Sequence, residues 1–366
     1  MDYSAKTIIL HVDPAAPEPD VIAKAAEYIR AGRLVAFPTE TVYGLGANAL
    51  DPEAVERIYR AKRRPANDPL ITHIAQPTDL YRLAEHIPAW VEPLVQAFWP
   101  GPLTLVLRRA GHVPANLAAG LPTVAVRMPI HPVARALIEA SKTPIAAPSA
   151  NTFTRPSATT AAHVLEDLYG RVDVVIDGGP TTLGLESTVL DLTQDPPVVL
   201  RPGGVVIEDL RRLIPEIRVV SQYLGDEDEA SPSPGQLLRH YAPRARLMLY
   251  EGPATAVRTA ISDTAARYIA NGRRVGILTV NEDAAHYTQL GARIIALGEQ
   301  HDHAAIGRVL FGALRALDGQ GVDVILAPLL DAEGLGAAIR DRLLRAAEGK
   351  VFHVGQPDEH PAPHEA

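Results

Sequence analysis

The 366 residues contain no cysteine. That excludes disulfides, Cys-ligated zinc, iron–sulfur clusters and thiol nucleophiles. Aromatic side chains are also scarce, with five phenylalanines and two tryptophans, so cores must be built from Ala, Val, Leu and Ile. No apolar run reaches the length of a membrane-spanning helix. An excess of positive charge is lacking too: the formal net charge is −8, which argues against coating of nucleic acid by the whole surface. Any polyanion has to meet a local basic patch. The N-terminal MDYSAKTIILHVDP has neither a long apolar core nor a small-residue cleavage site, and this predicts a cytoplasmic protein. Also absent are G-x-x-x-x-G-K-[ST], H-E-x-x-H, G-x-S-x-G and the EF-hand loop.

What is present is a hydrophobic fraction of 47%, enough for packed interiors. The length suggests two domains. Short apolar runs such as RLVAF (33–37), LITHIA (70–75), LTLVLRR (103–109), TVAVRM (123–128), VDVVID, STVLDL and PVVLR read as strands. Segments 19–31, 52–62, 78–86, 89–98, 131–141 and 158–169 read as helices. Asp51-Pro52-Glu53 carries an N-cap, a proline at the first position and an acid in the first turn. Alternating and hairpin-like order predicts a mixed, open sheet for residues 1–215. Apolar periodicity is lost in GDEDEASPSPG, which assigns 216–244 as a linker. Strands alternating with helices over 245–355 predict a smaller, doubly wound, Rossmann-like α/β domain. The tail 356–366 is expected to be disordered.

Several strand ends carry polar groups. FPTETVYGLGANA (37–49) ends a buried strand in a loop with Thr39, Glu40, Thr41 and Tyr43. Its Gly44-Leu45-Gly46 fits the dinucleotide fingerprint poorly, because six residues separate it from the strand. Turning of the backbone, with glycines where a side chain does not fit, is the preferred reading. Lys62-Arg63-Arg64 closes a helix before Pro65. Alone, it reads as a solvated helix end that complements the dipole. Beside Asn67, Asp68 and His73 it also suits a triphosphate clamp, since arginine and lysine are what phosphates need. APSANTFTRPSATTA (147–161) opens a strand into a loop with Ser149 and Asn151, and Ser157 is expected to cap the next helix. Arg127, Glu186-Ser187-Thr188 and Arg201 complete the set. Together these strand ends suggest one cleft. The histidines His301, His303, His353, His360 and His364 lack metal-ligand spacing and are read as surface.

FPTETVYGLGANA, K-x-R followed by Pro and His (62–73), GPLTLVL, VAVRMP, APSAN with PSATT, ESTVLDL and LRPGGV occur in this order over the first ~205 residues. Collectively they resemble the YrdC-like catalytic domain of threonylcarbamoyl-AMP synthases. SPGQLLRHYAP (233–243) resembles the linker of the long, two-domain form. The resemblance implies a twisted open sheet with a concave basic cleft. It also implies an activity, joining L-threonine, bicarbonate and ATP into L-threonylcarbamoyladenylate with release of pyrophosphate. A tRNA threonylcarbamoyl transferase complex would consume the product. Direct tRNA binding is left open.

Carried over by motif, Thr41, His73, Arg127, Ser187 and the Ala147 backbone would contact threonine. Lys62, Arg64, Asp68, Thr123, Ser149, Asn151, Ser157, Arg201 and Tyr241 would hold ATP, with Lys62, Arg64, Ser149 and Asn151 nearest the chemistry. Mg²⁺ would be held mainly by the phosphates. The chain departs from the family at Arg63, at Asp68 where asparagine is common, at Thr152-Phe153-Thr154-Arg155, and at Gln236-Leu237-Leu238. Asp68 therefore either points away from the phosphates or helps hold Mg²⁺. Two alternatives compete: an RNA-binding module on the same fold, and a carbamoyl-transfer maturation factor. The latter brings a zinc-finger module for which this chain has no cysteine.

Overall fold

A computed structural model describes residues 6–220 and 240–355. The chain divides into two compact units, Met1–Leu238 and Arg239–Ala366. The acidic, Ser/Pro-rich part of the assigned linker, SPGQLL included, and the tail after 355 lie outside the described residues.

The first unit is built on a twelve-stranded mixed sheet. Across it run Ile8–His11, Val174–Asp177, Val35–Phe37, Gly44–Asn48, Ile145–Ala146, Ile71–His73, Thr123–Arg127, Leu103–Arg109, Thr188–Asp191, Val198–Arg201 and Arg218–Val219, and Ala84–Glu85 pairs beside Leu103–Arg109. Parallel pairs such as Ile71–His73 with Thr123–Arg127 alternate with antiparallel ones such as Leu103–Arg109 with Thr123–Arg127. The sheet thus extends past residue 215 through Arg218–Val219.

Alternation along the strands supplies both cores. Val35 and Phe37 join Ile22, Ile29, Val133 and Leu137 on one face, while Ala36 and Leu45 join Val55, Ile58 and Leu70 on the other. The segment expected to be a loop contains a strand, Gly44–Asn48, antiparallel to Val35–Phe37. Its glycines serve close packing and make no turn. A Cβ at Gly46 would lie 2.7 Å from Phe37 Cε1 and 2.9 Å from Ile145 Cγ2.

The helix Pro52–Lys62 starts as read, with the Asp51 side chain accepting from the backbone N–H of Glu53 and Ala54. Its buried residues Val55, Ile58, Tyr59 and Lys62 follow the three-and-four spacing of one helix face. That periodicity carries Lys62 inward along with the apolar stripe. Arg63 then takes the left-handed conformation, φ 56°, ends the helix and leaves its own side chain exposed.

Two readings near residue 158 are corrected. The helix is Ala161–Leu168, and its cap is Thr160, whose side chain accepts from His163 N. Ser157 lies too far upstream to cap it, and its hydroxyl instead donates to Glu186. Segment 89–98 holds the expected helix, Val91–Phe98, whereas 78–86 resolves into a 3-10 turn Pro77–Asp79, a short helix Leu80–Leu83 and the strand Ala84–Glu85.

The second unit is a five-stranded, wholly parallel sheet in the order Arg293–Ala296, Val275–Thr279, Val324–Pro328, Arg246–Glu251, Val351–His353. Ala254–Ala270, His303–Gly319 and Gly336–Ala346 are the helices expected from the pattern. Runs such as VGILT and VILAP are buried almost throughout, as parallel strands covered on both faces must be.

Candidate active site

Lys62 is 1% exposed. Its ammonium donates to the backbone carbonyls of Ser149 and of Asn151, the latter at 2.6 Å. The loop Ser149–Asn151 is held from below: Ser149 bridges to Gly44, Ala150 N donates to Tyr43 O, and Phe153 N donates to Lys62 O. Strand, loop and helix end are therefore one unit. Burial, and then the Arg64 guanidinium, push the Lys62 pKa well below the usual lysine range, against the opposing pull of Asp167 and Asp68. Both nearby carboxylates already have an arginine partner, Asp68 with Arg64 at 2.8 Å and Asp167 with Arg155 at 3.9 Å.

Arg64 is buried and turned back on its own loop. It donates to Asp68 O at 3.0 Å and Pro69 O at 2.9 Å, and pairs with the Asp68 carboxylate at 2.8 Å. The Phe153 ring lies 5.9 Å from its guanidinium carbon. The fully buried Asp68 is thus the counterion of Arg64.

A second set of polar groups is carried by neighbouring strands. In register, His73 faces Arg127 and Arg127 faces Thr104. Thr104 Oγ1 lies 2.7 Å from Ser187 Oγ. The Arg127 guanidinium donates to Thr41 Oγ1 at 2.9 Å and to Gly101 O at 3.2 Å, and it pairs with Glu40 at 2.6 Å. Burial, reinforced by Arg127, pushes the His73 pKa down to about 3. The imidazole is neutral at physiological pH, and its Nδ1 has no hydrogen-bond partner among the described residues. Arg201 donates to Ser187 O at 2.9 Å and Ser187 Oγ at 3.2 Å.

The structure therefore joins Lys62 with the Ser149–Asn151 loop, Thr41 with Arg127 and His73, and Ser187 with Arg201. Ala147 connects the two sets, its N–H donating to Ile71 O two residues before Ser149. Thr123 begins the strand that Arg127 ends, roughly 13 Å away at the rise of an extended strand. Tyr241 belongs to the second unit, where its ring stacks on Phe311 at 5.3 Å beneath the Arg342 guanidinium at 5.2 Å. Glu40 and Thr104 were missing from the expected set. Glu40 looked like ordinary loop polarity, and Thr104 like one position of a buried strand. The signal for both is a polar residue at an otherwise buried position.

Residues 27–203 match the Sua5/YciO/YrdC family model, described as telomere recombination. Residues 205–348 match a model described as the C-terminal domain of threonylcarbamoyl-AMP synthase. The threonylcarbamoyl-AMP synthase of Pyrococcus abyssi is 49% identical over 331 residues, spanning 90% of this chain and 95% of that protein. The chain belongs to the threonylcarbamoyl-AMP synthase family. The family member from Bacillus subtilis is 46% identical over 332 residues, covering 90% of this chain and 94% of its own. A crystal structure of P. abyssi Sua5 complexed with L-threonine superposes with a TM-score of 0.89 at 47% identity, over 95% of this chain and all of that one. No described helix is long and apolar enough to cross a membrane.

Proposed function

We propose that this chain forms L-threonylcarbamoyladenylate and pyrophosphate from L-threonine, bicarbonate and ATP, and that the first unit carries the chemistry. The observation that supports this most is Lys62. A buried ammonium, fixed by the carbonyls of Ser149 and Asn151 beside the Arg64 guanidinium, suits phosphate oxygens better than any neutral ligand.

Threonine's α-carboxylate and hydroxyl find donors and acceptors in Arg127, Thr41, His73 and Ser187, beside the Ala147 backbone. Once carboxylated on nitrogen, its carbamate attacks the α-phosphorus of ATP and pyrophosphate leaves. An anion attacks an anion and another anion departs, so fixed positive charge is what the reaction needs, and no protein nucleophile is required. Lys62 supplies that charge. Arg64 contributes through a guanidinium already oriented by Asp68. Ser149, Asn151, Ser157, Arg201 and Thr123 complete the ATP set, and Tyr241 is kept in it on the resemblance alone.

Asp68 is engaged by Arg64, and Mg²⁺ would be carried on the triphosphate, where it would neutralise part of the phosphate charge. We place the reaction in the cytoplasm, upstream of a tRNA threonylcarbamoyl transferase complex. Purified protein with ATP, Mg²⁺ and bicarbonate tests the reading. Pyrophosphate release that depends on L-threonine supports it. Tight RNA binding without such release refutes it.

A further inference from the structure

Glu40 sits beside the proposed threonine groups but belongs to no role assigned so far. We propose that Glu40 receives the ammonium group of the amino-acid substrate and takes the proton this amine must lose before it can be carboxylated. The proposal rests on the threonine-adenylate reading above.

Three observations carry it. First, Glu40 is 7% exposed, and its Oε1 pairs with Arg127. Its Oε2 is buried with no hydrogen-bond partner among the described residues. A buried carboxylate oxygen without a donor is costly, and such an orphan in a native site marks a place where a donor is missing. Second, the backbone of Glu40 is pinned. Its carbonyl accepts from Leu183 N at 2.8 Å and from Thr182 Oγ1 at 3.4 Å, and its carboxylate is tied to Arg127. Third, Arg127 and Glu40 together are electrically neutral, as is an amino-acid zwitterion. A carboxylate on the guanidinium and an ammonium on Oε2 complement that pair charge for charge, where a simple anion would leave Oε2 unpaired.

The titratable groups around Glu40 favour it over either histidine as the base. His73, beside Arg127, is held neutral with its pKa near 3, so it is a poor proton acceptor. His131, at the start of the helix Pro132–Ser141, has its pKa lowered by burial although Glu40 pulls it upward, and its Nδ1 already accepts from Val133 N at 3.2 Å. Glu40 is the carboxylate among these three groups, and its Oε2 is an acceptor without a donor among the described residues.

The proton balance closes. The substrate ammonium gives one proton to Glu40 and becomes the free amine. The amine nitrogen attacks the carbon of bicarbonate, the N–C bond forms and the C–OH bond breaks. The departing hydroxide leaves as water with a second nitrogen proton. The carbamate is then ready for the α-phosphorus, and Glu40 returns its proton to solvent after product release.

The test is the pH dependence of threonine-dependent pyrophosphate release in Glu40→Gln and Glu40→Asp, with threonine affinity by calorimetry. Glu40→Gln keeps the shape and loses the base. Its rate near pH 7 is expected to fall about 100-fold or more. The deficit should shrink roughly tenfold per pH unit as solvent deprotonates an amine that titrates near about 8 in a chain terminus. Its threonine affinity should fall about ten- to 100-fold, the loss of a charge-assisted hydrogen bond. Glu40→Asp should restore the wild-type shape of the profile. A Glu40→Gln deficit constant with pH would reduce Glu40 to a positioning residue for Arg127 and overturn the proposal, as would unchanged threonine affinity. Wild-type protein without threonine-dependent release would instead sink the underlying reading.

Discussion

Lys62→Met separates catalysis from folding. The substitution keeps the length of a buried side chain and removes its charge. Two terms then oppose each other in stability. The carbonyls of Ser149 and Asn151 lose the ammonium that both accept from, at about 1–3 kcal/mol for each group left unsatisfied. In return, a cation whose pKa is depressed by burial no longer has to be desolvated, a penalty of several kcal/mol per ion. The two nearly cancel, so unfolding stability should change by no more than about 2 kcal/mol. The transition state has no such compensation. Loss of one preorganised charge at a developing anion is worth about 3–4 kcal/mol, or 10²–10³ in rate. The assay is pyrophosphate release alongside urea unfolding followed by tryptophan fluorescence, since Trp90 and Trp99 both lie in the first unit. A variant with near-wild-type turnover refutes the phosphate role of Lys62. One that loses activity only in proportion to its unfolded fraction refutes it equally.

Four further outcomes are expected. Arg64→Ala should destabilise the fold by about 3–5 kcal/mol, because it strands the fully buried Asp68, and Asp68→Asn in the same chain should recover much of that loss by urea unfolding. Stability should rise with pH between about 3 and 6.5, because the unfolded chain protonates His73 where the folded one does not. At 1.36 kcal/mol per unit, with the unfolded imidazole half titrated at the upper end, this is roughly 2.3 kcal/mol between pH 4.5 and 6.5, and His73→Gln should flatten that slope. ATP affinity, by calorimetry, should fall as pH rises through the depressed Lys62 pKa, with proton uptake on binding that Lys62→Met abolishes. Gly46→Ala should cost about 1–3 kcal/mol, since the new methyl meets the Phe37 ring and Ile145.

Much of this was legible in the residues because local rules and tertiary structure agree. Asp51-Pro52-Glu53 starts its helix in the structure, and LTLVLRR is a strand over the same residues as read. Where the reading failed, a longer-range contact decided. Gly44–Asn48 looks like a turn because glycines disfavour strands, yet here they make room for Phe37 on the adjacent strand. Ser157 resembles a cap, but Glu186, far along the chain, takes its hydroxyl and leaves the cap to Thr160. The short edge strand Ile8–His11 and the helix Asn281–Tyr287 offered too little periodicity to be seen. Lys62 is the instructive case. A KRR at a helix end normally faces water, and the 55, 58, 59, 62 spacing that turns it inward was present in the sequence all along. Glu40 could not be singled out without its partner, because a Glu–Arg pair across separate strand ends has no local signature.

The most direct measurement is product formation by the purified full chain, quantifying pyrophosphate and the adenylate together while omitting L-threonine, bicarbonate or ATP in turn. The account predicts equimolar pyrophosphate and threonylcarbamoyladenylate only when all three are present. Pyrophosphate release that is indifferent to threonine, or no adenylate at all, would contradict it.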